Sequence, residues 1–280
     1  NEDFVIKKIN WTNKVDNVKA ICNELNLGLD SIVFFDDNPL ERQLIMQMLP
    51  EVIVPDFPER PEDLAGTMIQ IWKEYFDRPI LTEEDTKKTN QYAANAKRAN
   101  AQKLAASFED YLEGLEIKLI RKYENRHIDR ITQLLNKTNQ FNTMTKRHSM
   151  NEMQNIIVSE SKKVFAYQVV DCFGDNGIAA VVIVNVSTDV AVIEEFVMSC
   201  RVMGKNIENA IIEDVEDEIL KRGYSVIEAE YSETVKNKPV KELFQNLGYT
   251  EVHSSAECKR YSLKINERPK RDYWLERIVE

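Results

Sequence analysis

The run Ser199-Cys200-Arg201-Val202-Met203-Gly204-Lys205-Asn206-Ile207 joins an alternating apolar stretch to a segment with helical spacing. A strand that breaks at a glycine turn and opens a helix leaves several main-chain N–H groups without partners at the positive end of the helix dipole, and that geometry binds phosphate. Gly204 lacks a Cβ, so a ligand can approach the backbone closely. Cys200 stands at the junction, where the dipole and Arg201 favour its thiolate, so it is a candidate nucleophile; a packing cysteine is the alternative. Thr138-Asn139-Gln140-Phe141-Asn142 is polar around one phenylalanine, and its amide groups can bind substrate hydroxyls or a carboxylate without adding charge, or can cap helices. His127, His148 and His253 have no partner at metal-ligand spacing and read as surface or core-filling side chains.

The elements that must position these residues follow from periodicity. Residues 14–25 read as helix, 31–35 as a short apolar strand, 40–48 as helix and 52–54 as strand, an α-β-α-β order that belongs to a parallel sheet. Pro55, Pro58 and Pro61 end that pattern, and 62–75 read as a closing helix. Residues 82–115 contain no glycine before Gly114 and read as a linking helix pair, opened by Thr82-Glu83-Glu84-Asp85, which is close to a capping box. From residue 116 the pattern gives strand 116–121, helices 125–137 and 150–159, strands 164–171, 177–185 and 190–198, helix 207–222, strand 225–231, helix 236–247 and strand 259–265. Asp175-Asn176-Gly177 marks a tight turn. The fold class is therefore α/β: a parallel α/β segment at 1–80, a helical linker at 81–115, an α+β domain with a mixed, mostly antiparallel sheet at 116–266, and a peripheral tail at 267–280.

Composition narrows the function classes. A chain of 280 residues with 43% hydrophobic content can bury the cores of about two domains. No apolar run reaches the roughly 18 residues that span a bilayer, and Asn1-Glu2-Asp3 is not a basic leader, so a cytoplasmic protein without membrane contact is expected. The formal net charge of −10 opposes nucleic acid and favours a small partner. Lys146-Arg147-His148 and Arg268-Pro269-Lys270-Arg271 read as solvated surface. Cys22, Cys172, Cys200 and Cys258 form no CxxC pair, which argues against a zinc site or a disulfide framework.

Arg201-x-x-Gly204-x-Asn206, followed by Asn237-x-x-Val240-x-x-Leu243-Phe244-x-x-x-Gly248-Tyr249, resembles the acyl-CoA-binding half of GNAT acyltransferases, with Asn206 where the family has a small residue. The resemblance implies that Met203, Gly204, Lys205, Asn206 and Ile207 supply amides to the phosphate end of CoA or of carrier-bound 4′-phosphopantetheine, and that Asn237 hydrogen-bonds the pantetheine arm. Phe244 stands where that family often has the tyrosine that protonates the departing thiolate, and phenylalanine has no proton to give.

Asp36-Asp37-Asn38-Pro39-x-Glu41-Arg42, Thr138-Asn139-Gln140-Phe141-Asn142, Phe173-Gly174-Asp175, Ser199-Cys200-Arg201 and Thr234-x-Lys236-Asn237-x-Pro239 together resemble the FkbH-like family. Its members join a haloacid-dehalogenase (HAD) type phosphatase segment to a GNAT-like segment and load a glyceryl unit onto an acyl carrier protein. The resemblance covers residues 9–249. It implies Mg²⁺ binding through Asp36 and Asp37, a phosphate-neutralising role for Lys14, with Lys8 as runner-up, and an acceptor face that includes Thr138, Asn139, Gln140, Asn142 and Arg201. The Asp-x-Asp-x-Thr nucleophile signature of HAD phosphatases does not occur here, so the first segment reads as the later part of such a domain. The expected function is transfer of a small acyl group from its donor to the phosphopantetheine thiol of a carrier protein. A GNAT acetyltransferase acting on an amine and a noncatalytic carrier-binding module are the alternatives.

Overall fold

The computed structural model describes residues 4–25, 27–77, 94–95, 97–187, 189–255 and 258–280. The chain divides into two units, Asn1–Asn100 and Ala101–Glu280.

In the first unit α1 (Lys14–Leu25) and α2 (Pro39–Met48) lie where the periodicity places them. Asn38 caps α2 by accepting from the Leu40 amide at 3.0 Å, and Pro39 follows at the first helical position, where its missing N–H costs nothing. The two expected strands reduce to one parallel bridge, Val33 to Ile53, held by Phe34 N–H to the Ile53 carbonyl at 2.8 Å and Ile53 N–H to the Ile32 carbonyl at 3.0 Å. Val15, Val18, Cys22, Ile45, Leu49 and Val52 form a small core around it. The closing helix is shorter than expected: α3 (Leu64–Ile71) runs into a π-turn over Trp72–Phe76. The expected capping sequence Thr82–Asp85 lies outside the described residues.

The second unit is a mixed eight-stranded sheet covered on both faces. Its strands are β1 (Ile117–Lys122), β2 (Lys162–Asp171), β3 (Gly174–Asn185), β4 (Ala191–Met198), β5 (Val226–Tyr231), β6 (Thr250–Ser254), β7 (Lys259–Lys264) and β8 (Leu275–Val279). Their spatial order is β6-β7-β5-β4-β3-β2-β1-β8. Among the described residues of this sheet, only β4/β5 and β1/β8 pair in parallel. β3 lies inside the sheet, and its run Ile178–Val184 is buried on both sides, which explains why it reads as continuous apolar sequence instead of alternating.

One face carries α4 (Phe108–Gly114) and α7 (Ile207–Lys221). α7 packs Ile207, Ile211, Val215 and Ile219, spaced four apart, into the larger core. The other face carries α5 (Ile128–Lys137) and α6 (Met150–Val158), whose Ile131, Leu134, Leu135 and Met153 meet Val181, Ile183 and Val197. Ser149 and Glu152 close a capping box at the start of α6.

Three expectations are corrected. The linker does not reach residue 115: Tyr111, Leu112 and Leu115 are buried in the larger core, so 101–115 belongs to the second unit. The segment 267–280 is not peripheral: it supplies strand β8 and the buried Arg271. The helix expected at 236–247 is broken into a 3₁₀ turn, Lys238–Val240, and the four-residue α8 (Leu243–Asn246); Pro239 lies in the first turn of the 3₁₀ segment, where its missing donor is tolerated, and its ring keeps the residues before it out of an α-helix. α8 ends in a Schellman motif. Gly248 N–H donates to the Gln245 carbonyl and Tyr249 N–H to the Phe244 carbonyl, both at 2.9 Å. Gly248 has φ +90°, and a Cβ there would stand 2.4 Å from the Pro269 ring, so glycine is required twice over.

Candidate functional site

The glycine turn takes the form the sequence suggests. After β4 the chain makes a 3₁₀ turn over Cys200–Val202 and then adopts left-handed backbone at Gly204 (φ +70°) and at Asn206 (φ 57°, ψ 22°) before α7 begins. Asn tolerates this region better than most residues, and the Asn206 side chain does not cap the helix. Gly204 is exposed, and a Cβ built on it would meet nothing within 4 Å. Among the described residues, the amides of Met203, Gly204, Asn206 and Ile207 donate to no main-chain carbonyl. Lys205 is only 8% exposed and folds back so that Nζ donates to the Arg201 carbonyl at 3.1 Å. Arg201 Nε donates to Ser199 Oγ at 3.2 Å. Cys200 is exposed at the first position of the 3₁₀ turn.

Beside the turn lies a pocket of about 210 Å³, walled by Phe141, Met203, Gly204, Glu208, Val240 and Leu243 among others. Glu208 is the only charged residue lining it among the described residues, and one of its carboxylate oxygens is buried without a partner. Burial pushes the Glu208 carboxyl up, and its own main-chain amide pulls the other way.

The gap between β4 and β5 is filled by the chain itself. These strands pair only from Ala191/Ile227 to Ile193/Ala229 and then part. Residues 141–143 enter the opening. Thr143 N–H donates to the Phe196 carbonyl at 3.1 Å, Phe196 N–H donates to Thr143 Oγ1 at 3.0 Å, and Met198 N–H donates to the Phe141 carbonyl at 3.0 Å. On the far side Ser232 N–H donates to the Thr143 carbonyl at 2.9 Å.

Asn237 locks this insert and has no capacity left for a pantetheine arm. It is fully buried. Its Nδ2 donates to the carbonyls of Asn142 at 2.8 Å and Ser232 at 2.9 Å, while Oδ1 accepts from Thr234 N–H at 2.7 Å and from Tyr231 O–H at 3.3 Å. Two donors and two accepted bonds saturate an amide side chain. Asn142 is likewise inward, accepting from the amides of Met144 and Thr145 and donating to the Thr138 carbonyl. Asn139 Oδ1 accepts from Arg147 at 2.5 Å, and Gln140 is exposed. The expected acceptor motif thus divides into a buried structural half, Asn142 with the Thr138 carbonyl, and an outer half that includes Gln140.

Sequence reasoning missed a buried pair. His148 Nε2 and Glu195 Oε1 are 2.8 Å apart, with side chains 11% and 3% exposed, and the second Glu195 oxygen has no partner. His148 is therefore neither a surface nor an apolar-core residue. A β-bulge hides Glu195 in the sequence. Ile183 faces Glu195 but Val184 faces Ile193, so Glu194 is an extra residue on β4. The bulge reverses the alternation and turns Glu195 to the side of α5 and α6, with Val197, away from Ile193. The available signal was the acidic pair inside an otherwise apolar strand. Phe244 is buried against the rings of Tyr249 and Tyr261, and the Tyr261 hydroxyl is buried without a partner.

In the first unit Lys14 and Asp36 do meet, at 3.2 Å, while the other Asp36 oxygen accepts from the Asn38 amide at 2.9 Å. Arg42 donates to the Asp36 and Asp37 carbonyls. No group of three acidic, histidine or cysteine side chains able to hold a metal occurs among the described residues. Asp36 is engaged on both oxygens and Asp37 is exposed, so this pair does not fit the Mg²⁺ role expected of it. It fits a turn that starts α2.

Solved structures similar to this chain include N-acetyltransferases. One is the ribosomal-protein-S18-alanine N-acetyltransferase of Escherichia coli, with 16% identity over 53% of this chain and 94% of that one and a TM-score of 0.41. A second is the spermidine N-acetyltransferase of Vibrio cholerae in complex with CoA and spermine, with 16% identity over 54% and 99% and a TM-score of 0.40. A third is the PaiA N-acetyltransferase of Thermoplasma acidophilum in complex with coenzyme A, with 11% identity over 53% and 98% and a TM-score of 0.42. No protein-family model matches the chain, and no curated protein matches its sequence. Among the described residues no helix is long and apolar enough to cross a membrane.

Proposed function

We propose that residues 101–280 form an acyl-transfer domain that receives the thiol of a phosphopantetheine arm, on CoA or on an acyl carrier protein, and that Cys200 holds the acyl group in transit. The observation that carries this reading is the left-handed turn from Gly204 to Asn206, exposed at Gly204 and bordered by open amides and by the pocket against Val240 and Leu243. The FkbH-like sequence motifs supply the acyl group, a glyceryl unit arriving as an acyl phosphate.

The Cys200 thiolate attacks the acyl carbonyl, and phosphate leaves with the electron pair of the broken C–O bond. The pantetheine thiolate then attacks the resulting thioester, and the Cys200 thiolate leaves. One thioester replaces another, so the step is nearly isoenergetic and places no demand on position 244 for an acid. The first unit supplies no step, because Asp36 is tied to Lys14 and to its own turn.

Intact-protein mass spectrometry of the full chain with an acyl-phosphate donor and a phosphopantetheinylated carrier protein tests this. The wild type is expected to gain one acyl mass and Cys200→Ala none. An adduct that persists on the alanine variant removes Cys200 from the reading. The His148–Glu195 pair favours a second reading, acetyl transfer from acetyl-CoA to an amine, because a buried carboxylate with a spare oxygen can take the amine proton. Amine-dependent release of CoA without any protein adduct, falling by about tenfold or more in Glu195→Gln, puts that reading first.

A further inference from the structure

A polyanion at the start of α7 would meet a carboxylate already in place. Glu208 is the second residue of α7, where a negative side chain lies close to the open amides and the positive end of the dipole. One of its oxygens is buried without a partner in the pocket wall. No cation lines the pocket among the described residues, and the neighbouring Lys205 is folded back onto the Arg201 carbonyl. The other walls carry no charge: Phe141, Met203, Val240 and Leu243 are apolar, and Asn209 and Asn246 are neutral amides. Such a site suits a slender arm with little charge and opposes a crowded phosphate end.

We propose that Glu208 sets the charge selectivity of this pocket: it admits a pantetheine thiol carried on one phosphodiester, or on none, and penalises the diphosphate and 3′-phosphate of free CoA. This rests on the thiol-binding reading given above and adds to it a residue that discriminates between two carriers of the same arm. The physical cause is repulsion between like charges in a partly desolvated wall, where water screens them poorly. Binding of an uncharged arm is indifferent to that carboxylate.

Calorimetric titration of the full chain with D-pantetheine, 4′-phosphopantetheine and CoA tests the proposal in the wild type, Glu208→Gln and Glu208→Asp. Wild type is expected to bind CoA more weakly than pantetheine. Glu208→Gln strengthens CoA binding by about tenfold and changes pantetheine binding less than twofold. Glu208→Asp keeps the discrimination, because it keeps the charge. Equal CoA affinity in wild type and Glu208→Gln overturns the selectivity role while leaving thiol binding intact. Equal weakening of all three ligands in Glu208→Gln overturns it too, since that marks a structural role. Absence of binding by all three compounds to every variant overturns the thiol-binding reading itself, and this inference with it.

Discussion

Asn237→Ala is expected to destabilise the second unit by roughly 4 kcal/mol, because it removes a partner from the buried Asn142 carbonyl and the Tyr231 hydroxyl and from the half-buried Ser232 carbonyl and Thr234 amide, each loss worth about 1–3 kcal/mol less whatever relaxation and water recover. The carbonyls belong to Asn142, within the insert between β4 and β5, and to Ser232, in the loop after β5. Losing this side chain therefore frees both the insert and the loop after β5. Thermal or urea unfolding measures the effect, with the midpoint temperature falling by about 10 °C for a unit of this size. A ligand-binding asparagine would behave differently: the midpoint would hold and only thiol affinity would drop. A midpoint within about 1 °C of wild type sinks the structural assignment.

A comparable loss is expected for Arg271→Met. The Arg271 guanidinium grips Glu216 through two bonds, 2.8 and 2.9 Å long, and also donates to the Leu247 carbonyl. Glu216 is fully buried on α7 and also accepts from the Tyr249 hydroxyl at 2.8 Å. Among the described residues the other cation paired with it is Arg268, at 3.6 Å. Removing one member of a buried pair leaves an uncompensated charge and costs about 3–5 kcal/mol. The double variant Glu216→Leu/Arg271→Met is expected to recover most of that loss, since two apolar side chains need no desolvated charge. Urea midpoints of the single and double variants check both statements, and a double variant no more stable than Arg271→Met contradicts the account.

The elements held by local pattern were legible and those held by distant partners were not. α1, α6 and β2 to β5 carry their own periodicity, so spacing alone located them within a few residues. β6 and β8 do not. All five residues of Thr250–Ser254 are exposed, and Leu275–Val279 mixes charged with apolar residues because it is an edge strand. The helix expected at 236–247 failed at Pro239, where apolar spacing suggested a continuity that the backbone forbids.

The candidate site divides in the same way. Gly204 and Asn206 announce their turn through residue type. Glu195 depends on a bulge, and a one-residue insertion in a strand reverses every side chain beyond it without marking the sequence. Asn237 was singled out for its position in a motif, yet its role depends on carbonyls of which one lies 95 residues away.

The pairing of β8 with β1 bears on how the second unit is made. Lys122 and Glu280, 158 residues apart in sequence, meet across this pair at 2.5 Å. A parallel pairing of such separation closes a long loop before it gains any contact, which raises contact order and slows folding. During synthesis the outer edge of β1 therefore stays uncovered until Leu275–Val279 has left the ribosome. Nascent chains of this protein are thus open to mispairing along β1 for as long as Leu275–Val279 is missing.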